Sequence, residues 1–131
     1  MKIYLSHPIR GKKGKDATTL DMGTNCHKAI EIANYIKEHV TADIEIYVPG
    51  EHEDFVNTAY RKSYLTEKQI LDVDCTIIDT CEVVMVYAPD DTIVGGCDVE
   101  IHHAAVTGQP VMVFETAEQA VDLLAEYLLR V

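Results

Sequence analysis

The sequence predicts a three-layer α/β sandwich built on a parallel sheet of four or five strands, within a single domain spanning residues 1–131. Two observations carry this expectation. Short β-rich runs alternate with helix-period segments along the whole chain, and that alternation favours right-handed crossovers and a parallel sheet covered by helices on both faces. The run Val83-Val84-Met85-Val86-Tyr87-Ala88 is apolar without interruption until Pro89 and Asp90 break it. A strand of that kind is buried on both faces, as central strands of parallel sheets are.

The elements follow in order. Lys2-Ile3-Tyr4-Leu5-Ser6 makes a first strand, ended by His7-Pro8 because proline cannot sit inside a central strand. The loop from Ile9 to Thr19 is glycine-rich, basic and long for a strand-to-helix connection, which favours a functional loop. From about Thr24 to His39, apolar residues at 26, 29, 32, 33, 36 and 40 follow the helical repeat. Asp43 to Val48 gives a second strand, closed by Pro49-Gly50. Residues 51–64 are polar and aromatic with no clear period, a loop with a short helix.

Thr66-Glu67-Lys68-Gln69 is a capping box that starts a helix with Ile70, Leu71, Ile77 and Ile78 on one stripe. Asp74 interrupts that stripe, three residues after Leu71 and four before Ile78. The central strand then leads through Gly95-Gly96 into a helix ended by Gly108-Gln109-Pro110. Val111 to Phe114 is a further buried strand, and Thr116-Ala117-Glu118-Gln119 is a second capping box for a helix running nearly to Val131.

Composition narrows the function. A net charge of −11 excludes a nucleic-acid polymer as partner, because phosphate binding needs a basic face. A small anion is compatible, since four of the 11 basic residues lie in Arg10-Gly11-Lys12-Lys13-Gly14-Lys15. No apolar run reaches membrane-spanning length and the chain opens on a strand, so the expectation is a soluble, cytoplasmic protein without membrane partners. Cys26, Cys75, Cys81 and Cys97 lack zinc-site spacing and are expected to pack as small hydrophobes.

In open α/β sheets ligands bind beyond the carboxyl ends of the strands. That places Ser6, His7, Ile9, Arg10 and Gly11 after the first strand near Gly95, Gly96 and Asp98 after the central one, as candidate substrate-binding residues. Asp74 and Glu100, with the Tyr4 hydroxyl, form a minimal kit for glycosidic chemistry, one carboxylate attacking the anomeric carbon and another acid serving the leaving group. Asp74 on an apolar face is expected to be desolvated, which raises a carboxyl pKa toward the general-acid range. The crowding of Asp98, Glu100, His102 and His103 also admits a metal site, although the spacing matches no zinc signature such as HExxH.

The set Ile3-Tyr4, Ile9-Arg10-Gly11, Asp74 eight residues before Glu82-Val83-Val84, Gly95-Gly96-Cys97-Asp98-Val99-Glu100, Ala104 and Gly108-Gln109-Pro110-Val111 resembles the nucleoside 2-deoxyribosyltransferase superfamily, over about residues 2–114. That superfamily includes the deoxynucleoside 5′-monophosphate N-glycosidases. The resemblance implies a flavodoxin/Rossmann-like fold, Glu100 as the nucleophile that forms a glycosyl ester, Tyr4 orienting it, and Asp74 protonating the departing base. It gives Arg10 a 5′-phosphate. It also implies oligomers, dimers or larger, whose sites borrow residues from a neighbouring subunit; the C-terminal helix with Tyr127 and Arg130 is the candidate donor. The sequence departs from the family pattern at Val94, Asp98 and His102-His103, so sugar and phosphate specificity are not fixed by it.

The resulting expectation is an enzyme that cleaves or transfers the N-glycosidic bond of a nucleoside or nucleoside 5′-monophosphate, needing neither cofactor nor metal. The alternatives are a non-catalytic nucleotide-binding or signalling module, and a metal-dependent hydrolase using Asp98, His102 and His103.

Overall fold

A computed structural model describes residues 1–93 and 95–130. Four parallel strands, β1 (Lys2–Ser6), β2 (Glu45–Tyr47), β3 (Val83–Tyr87) and β4 (Val111–Phe114), lie in the order β2-β1-β3-β4. Helices α1 (Thr19–His39), α2 (Glu53–Arg61), α3 (Glu67–Ile78), α4 (Gly96–Thr107) and α5 (Ala117–Arg130) complete the chain. The α/β class and the flavodoxin-like parallel sheet therefore hold, with four strands.

Strand alternation divides the core. Ile3 and Leu5 of β1, with Val83 and Met85 of β3, face a layer made by Ala29, Ile32, Ala33 and Ile36 of α1 and Ala120 and Leu124 of α5. Tyr4 of β1 and Val84 and Val86 of β3 face the opposite way, onto Ile78 of α3 and Ala104 of α4. Gln109 holds the second layer together: its side-chain amide donates to the Ile78 and Cys81 carbonyls, tying the chain just beyond α4 to the end of α3.

Several local features differ from expectation. Helix α1 begins five residues earlier than Thr24, because Thr18 and Asp21 form a capping box with an aspartate in place of the usual Glu or Gln. The two expected boxes at Thr66–Gln69 and Thr116–Gln119 are both formed. Strand β4 is not buried on both faces. It is the sheet edge, with no strand beyond it among the described residues, and Val113 is 42% exposed. Three cysteines are buried and Cys75 is half-buried, all four as free thiols. Tyr127 packs against its own core, and exposed Arg130 pairs with Glu126. No helix among the described residues is long and apolar enough to cross a membrane.

β1 and β3 are the two central strands, and the crossover from β1 leads to the neighbour on one side while that from β3 leads to the neighbour on the other. Their carboxyl ends thus open a crevice at the switch point of the sheet. The turn after β2 closes one side of it by approaching α1. A Cβ built on Gly50 would lie 2.9 Å from Cys26 Cβ, 3.1 Å from Cys26 Cα and 3.0 Å from His7 Cε1.

Backbone cannot yield as a side-chain tip can. Gly50→Ala is therefore expected to destabilise the protein by about 1–3 kcal/mol, the usual range for overpacking. Urea unfolding checks this; an unchanged midpoint would show that the turn moves away from α1 at no cost.

Candidate active site

The buried residues of α4 are Cys97, Glu100 and Ala104. Their spacing of three and four is the core-facing stripe of a helix, so Glu100 occupies a position normally held by an apolar side chain. It is 5% exposed. Opposite it stand Tyr4 and Ser6, two residues apart on β1 and hence on one face of the sheet. The Tyr4 hydroxyl donates to Glu100 Oε2, and Ser6 Oγ donates to Glu100 Oε1 at 2.7 Å. Both carboxylate oxygens are thereby held by neutral donors.

Burial is the largest influence on Glu100 and raises its pKa to about 7, with the Asp74 charge acting in the same direction; the Tyr4 and Ser6 hydrogen bonds oppose it. Tyr4 is fully buried, and burial together with the Glu100 charge keeps its phenol protonated. Asp74 is raised to about 6, by burial and then by the charge of Glu53. Two carboxyl groups thus titrate close to neutrality in one place.

Both belong to a cleft of about 370 Å³, within the range of small-molecule sites. Its walls include His7, Ile9, Arg10, Gly11, Gly95 and Gly96 from the expected set. Asn25 of α1 donates to the Ile9 carbonyl at 2.8 Å and anchors the loop that carries Arg10. The Arg10 guanidinium lies over the Tyr60 ring, 5.3 Å from its centroid. It also lowers the pKa of Glu53, which burial raises more strongly. Gly95 has φ 55° and ψ −126°, a conformation that side chains resist, and it brings the amino end of α4 to the cleft.

Some expected residues serve otherwise. Ser6 is fully buried and reaches Glu100 rather than the cleft, so it cannot contact the 5′ end of a ligand. His7 lines the cleft, but Nδ1–H donates to the Pro8 carbonyl and Nε2 accepts from the Gly50 amide, each at 3.0 Å. An Nε2 that accepts leaves the ring neutral, burial lowers its pKa in the same sense, and the ring bridges the turns after β1 and β2. Asp98 lies two residues before Glu100, roughly 200° around the helix, and is exposed outside the cleft. His103 is bonded to Asp79 Oδ1 at 2.7 Å, and His102 is exposed. Among the described residues no group of three or more His, Cys, Asp or Glu side chains is placed to hold a metal ion. Val94 lies outside the described residues.

The cleft also has walls that sequence reasoning missed. Glu53, Val56, Asn57 and Tyr60 of α2 all face it, at spacings of three, one and three. These positions share one helical face, but they mix charge, amide, aliphatic and aromatic groups, so no apolar stripe announces them. Helix α2 buries no residue, and Phe55 is 77% exposed on it. Tyr47 at the end of β2 stacks between Tyr4 and His52, with centroids 5.5 and 5.3 Å away. With Ile70 and Leu71 of α3 it gives the cleft a flat, partly apolar wall.

No protein-family model, no curated protein and no solved structure matches the chain. The functional reading therefore rests on the residues and their geometry.

A raised carboxyl pKa means that the folded protein holds a proton which the unfolded chain has already released. For Glu100 that window runs from the ordinary value of 4.5 to about 7, and stability falls as pH rises through it. Glu100→Gln keeps a hydrogen-bonding group and removes the charge. The variant is expected to be more stable than wild type above pH 7, by up to about 3 kcal/mol, with the difference vanishing toward pH 4.5. Thermal unfolding from pH 4.5 to 8 measures it, and parallel curves would contradict a desolvated charge at this position.

Proposed function

We propose that the protein is an N-glycosidase or glycosyltransferase acting on a nucleoside or nucleoside 5′-monophosphate, with Glu100 as nucleophile. One observation carries the reading. A buried glutamate, held by two hydroxyls at both oxygens, borders a nucleoside-sized cleft that a second carboxyl with raised pKa also lines. The family resemblance of the sequence points the same way, and a 2′-deoxy sugar is the form it favours.

In this reading Tyr4 and Ser6 fix the Glu100 carboxylate without neutralising it, since neither donor is charged. An oxygen of Glu100 attacks the anomeric carbon, the carbon–nitrogen bond breaks, and its electron pair leaves with the base. Asp74, protonated, gives that base a proton. The product is a glycosyl ester of Glu100 and ionised Asp74. Water attacks the same carbon next, the ester carbon–oxygen bond breaks, Glu100 regains its charge, and Asp74 takes the proton from water. A second base in place of water gives transfer. The apolar wall of Tyr47, Ile70 and Leu71 suits the departing base, and Arg10 suits a 5′-phosphate. No step asks for a cofactor.

Incubation with a panel of nucleosides and 5′-monophosphates, followed by chromatography of free base, tests the proposal. Release is expected to survive chelator and to vanish in Glu100→Ala, with a sugar adduct on Glu100 detectable by mass spectrometry after acid quench. Nucleotide binding without release from any substrate would favour a non-catalytic module. Release that chelator abolishes and a divalent ion restores would favour a metal-dependent hydrolase.

The active form carries one proton on the carboxyl pair, on Asp74 with Glu100 ionised. Because Glu100 titrates at about 7 and Asp74 at about 6, it is the less populated of the two singly protonated forms, which rise and fall together with pH. Activity is therefore lost below the lower and above the upper of the pair's two titrations, and kcat/KM is expected to peak between pH 6 and 7. Asp74→Asn removes the alkaline limb and lowers the rate by about 10²–10⁴-fold. A profile of base release against pH decides; an alkaline limb that persists in Asp74→Asn would remove Asp74 from the role.

A further inference from the structure

A second cleft, of about 460 Å³, opens beside the first, between the loops that follow β1 and β3 and the first turns of α1. Pro8, Arg10 and Gly11 belong to the walls of both, so the two clefts are neighbours across one stretch of backbone. The glycosidic chemistry proposed above makes no use of the second.

Its chemistry suits an anion. Its charged walls are Arg10, Lys12, Lys13 and Lys28 against Asp21 and Asp90, a local excess of positive charge in a chain of net charge −11. Lys13 reaches Asp21 at 3.1 Å and Lys12 reaches Asp90 at 3.7 Å, both with exposed ammonium groups free to turn toward a phosphate. Lys28 makes no ion pair among the described residues. Beside these cations the wall offers apolar surface, with Leu20 79% exposed and Tyr87 and Pro89 facing the same space. Cations next to a partly apolar wall are what a phosphate bearing a flat ring requires.

Resting on the glycosidase reading of the first cleft, we propose that the substrate is a pyrophosphate-linked dinucleotide. One half presents its glycosidic bond to Glu100, and the other half occupies the second cleft. Each cleft is of a size for one nucleotide-sized group, and Arg10, common to both walls, stands where the linking phosphates cross from one to the other.

The test compares matched pairs of mononucleotide and symmetric pyrophosphate-linked dinucleotide for each common base, in ribo and 2′-deoxy forms. Base release is measured with wild type, and equilibrium binding with Glu100→Gln. For the accepted base, the dinucleotide is expected to have a kcat/KM about tenfold higher than the mononucleotide through its KM, and to bind about tenfold tighter. Rising salt is expected to weaken that preference. Lys28→Glu and Lys12→Glu, both at exposed positions, are expected to reduce it by about tenfold without changing the unfolding midpoint beyond a surface effect.

Equal kcat/KM and equal affinity for the two substrates, unmoved by either reversal, would overturn the dinucleotide inference and leave the glycosidase reading standing. Tighter dinucleotide binding that both reversals weaken, with no base released from any substrate, would keep the second cleft and overturn the glycosidase reading. Neither binding nor release with any pair would overturn both.

Discussion

Burying the Glu100 carboxylate on the core-facing stripe of α4 is the constraint around which the rest of the site is arranged. A charge taken from water is costly unless hydrogen bonds replace its hydration. The replacements come from β1, whose alternate residues Tyr4 and Ser6 point the same way and meet one carboxylate oxygen each. The residues alternating with them, Ile3 and Leu5, are fully buried against α1 and α5. A single five-residue strand thus serves the main core with one face and a candidate nucleophile with the other. Because both donors are neutral and uncharged, the compensation is partial, and the carboxyl keeps a pKa near neutrality rather than the low value an arginine partner would impose.

The sheet supplies the place and the connections supply the shape. Opposite crossovers from β1 and β3 leave an opening at their carboxyl ends, and the turns after β1 and β2 are joined there by the neutral imidazole of His7. Helix α2 closes one wall while contributing nothing to the core, its cleft-facing positions being Glu53, Val56, Asn57 and Tyr60. An element held by few buried contacts is among those most free to open locally. It is also the element that brings Glu53 near Asp74, and so couples the Asp74 carboxyl to the same wall as Arg10.

Where local chemistry decides structure, reading the residues succeeded. The capping boxes at Thr66 and Thr116, the strand of Val83–Tyr87 and the glycine stop at Gly108 are each fixed by interactions within a few residues. The start of α1 was displaced because aspartate can take the third position of a capping box as glutamate does, at Asp21. Asp74 was legible as a carboxylate interrupting an apolar helical stripe, a pattern with no structural use unless something polar meets it, whereas Glu100 stood out by its place in the helix that follows the central strand and by the family resemblance. Ser6 was misplaced because strand alternation says which face a hydroxyl takes but not which helix residue lies opposite it. The α2 wall was illegible for a different reason: a face that borders a ligand cleft has no need of uniform hydrophobicity, and so leaves no period behind.

By itself the sequence determined the α/β class, most of the elements and the identity of the two carboxyl groups, because periodicity, capping and turn chemistry act over distances of a few residues. Only the tertiary structure decided that Tyr4 and Ser6 share Glu100, that His7 is spent between two turns, that Asp98 lies outside the cleft, and that a second basic cleft adjoins the first. Those facts depend on contacts between residues as far as 96 apart in the chain, set by strand order and crossover direction, which no local pattern encodes.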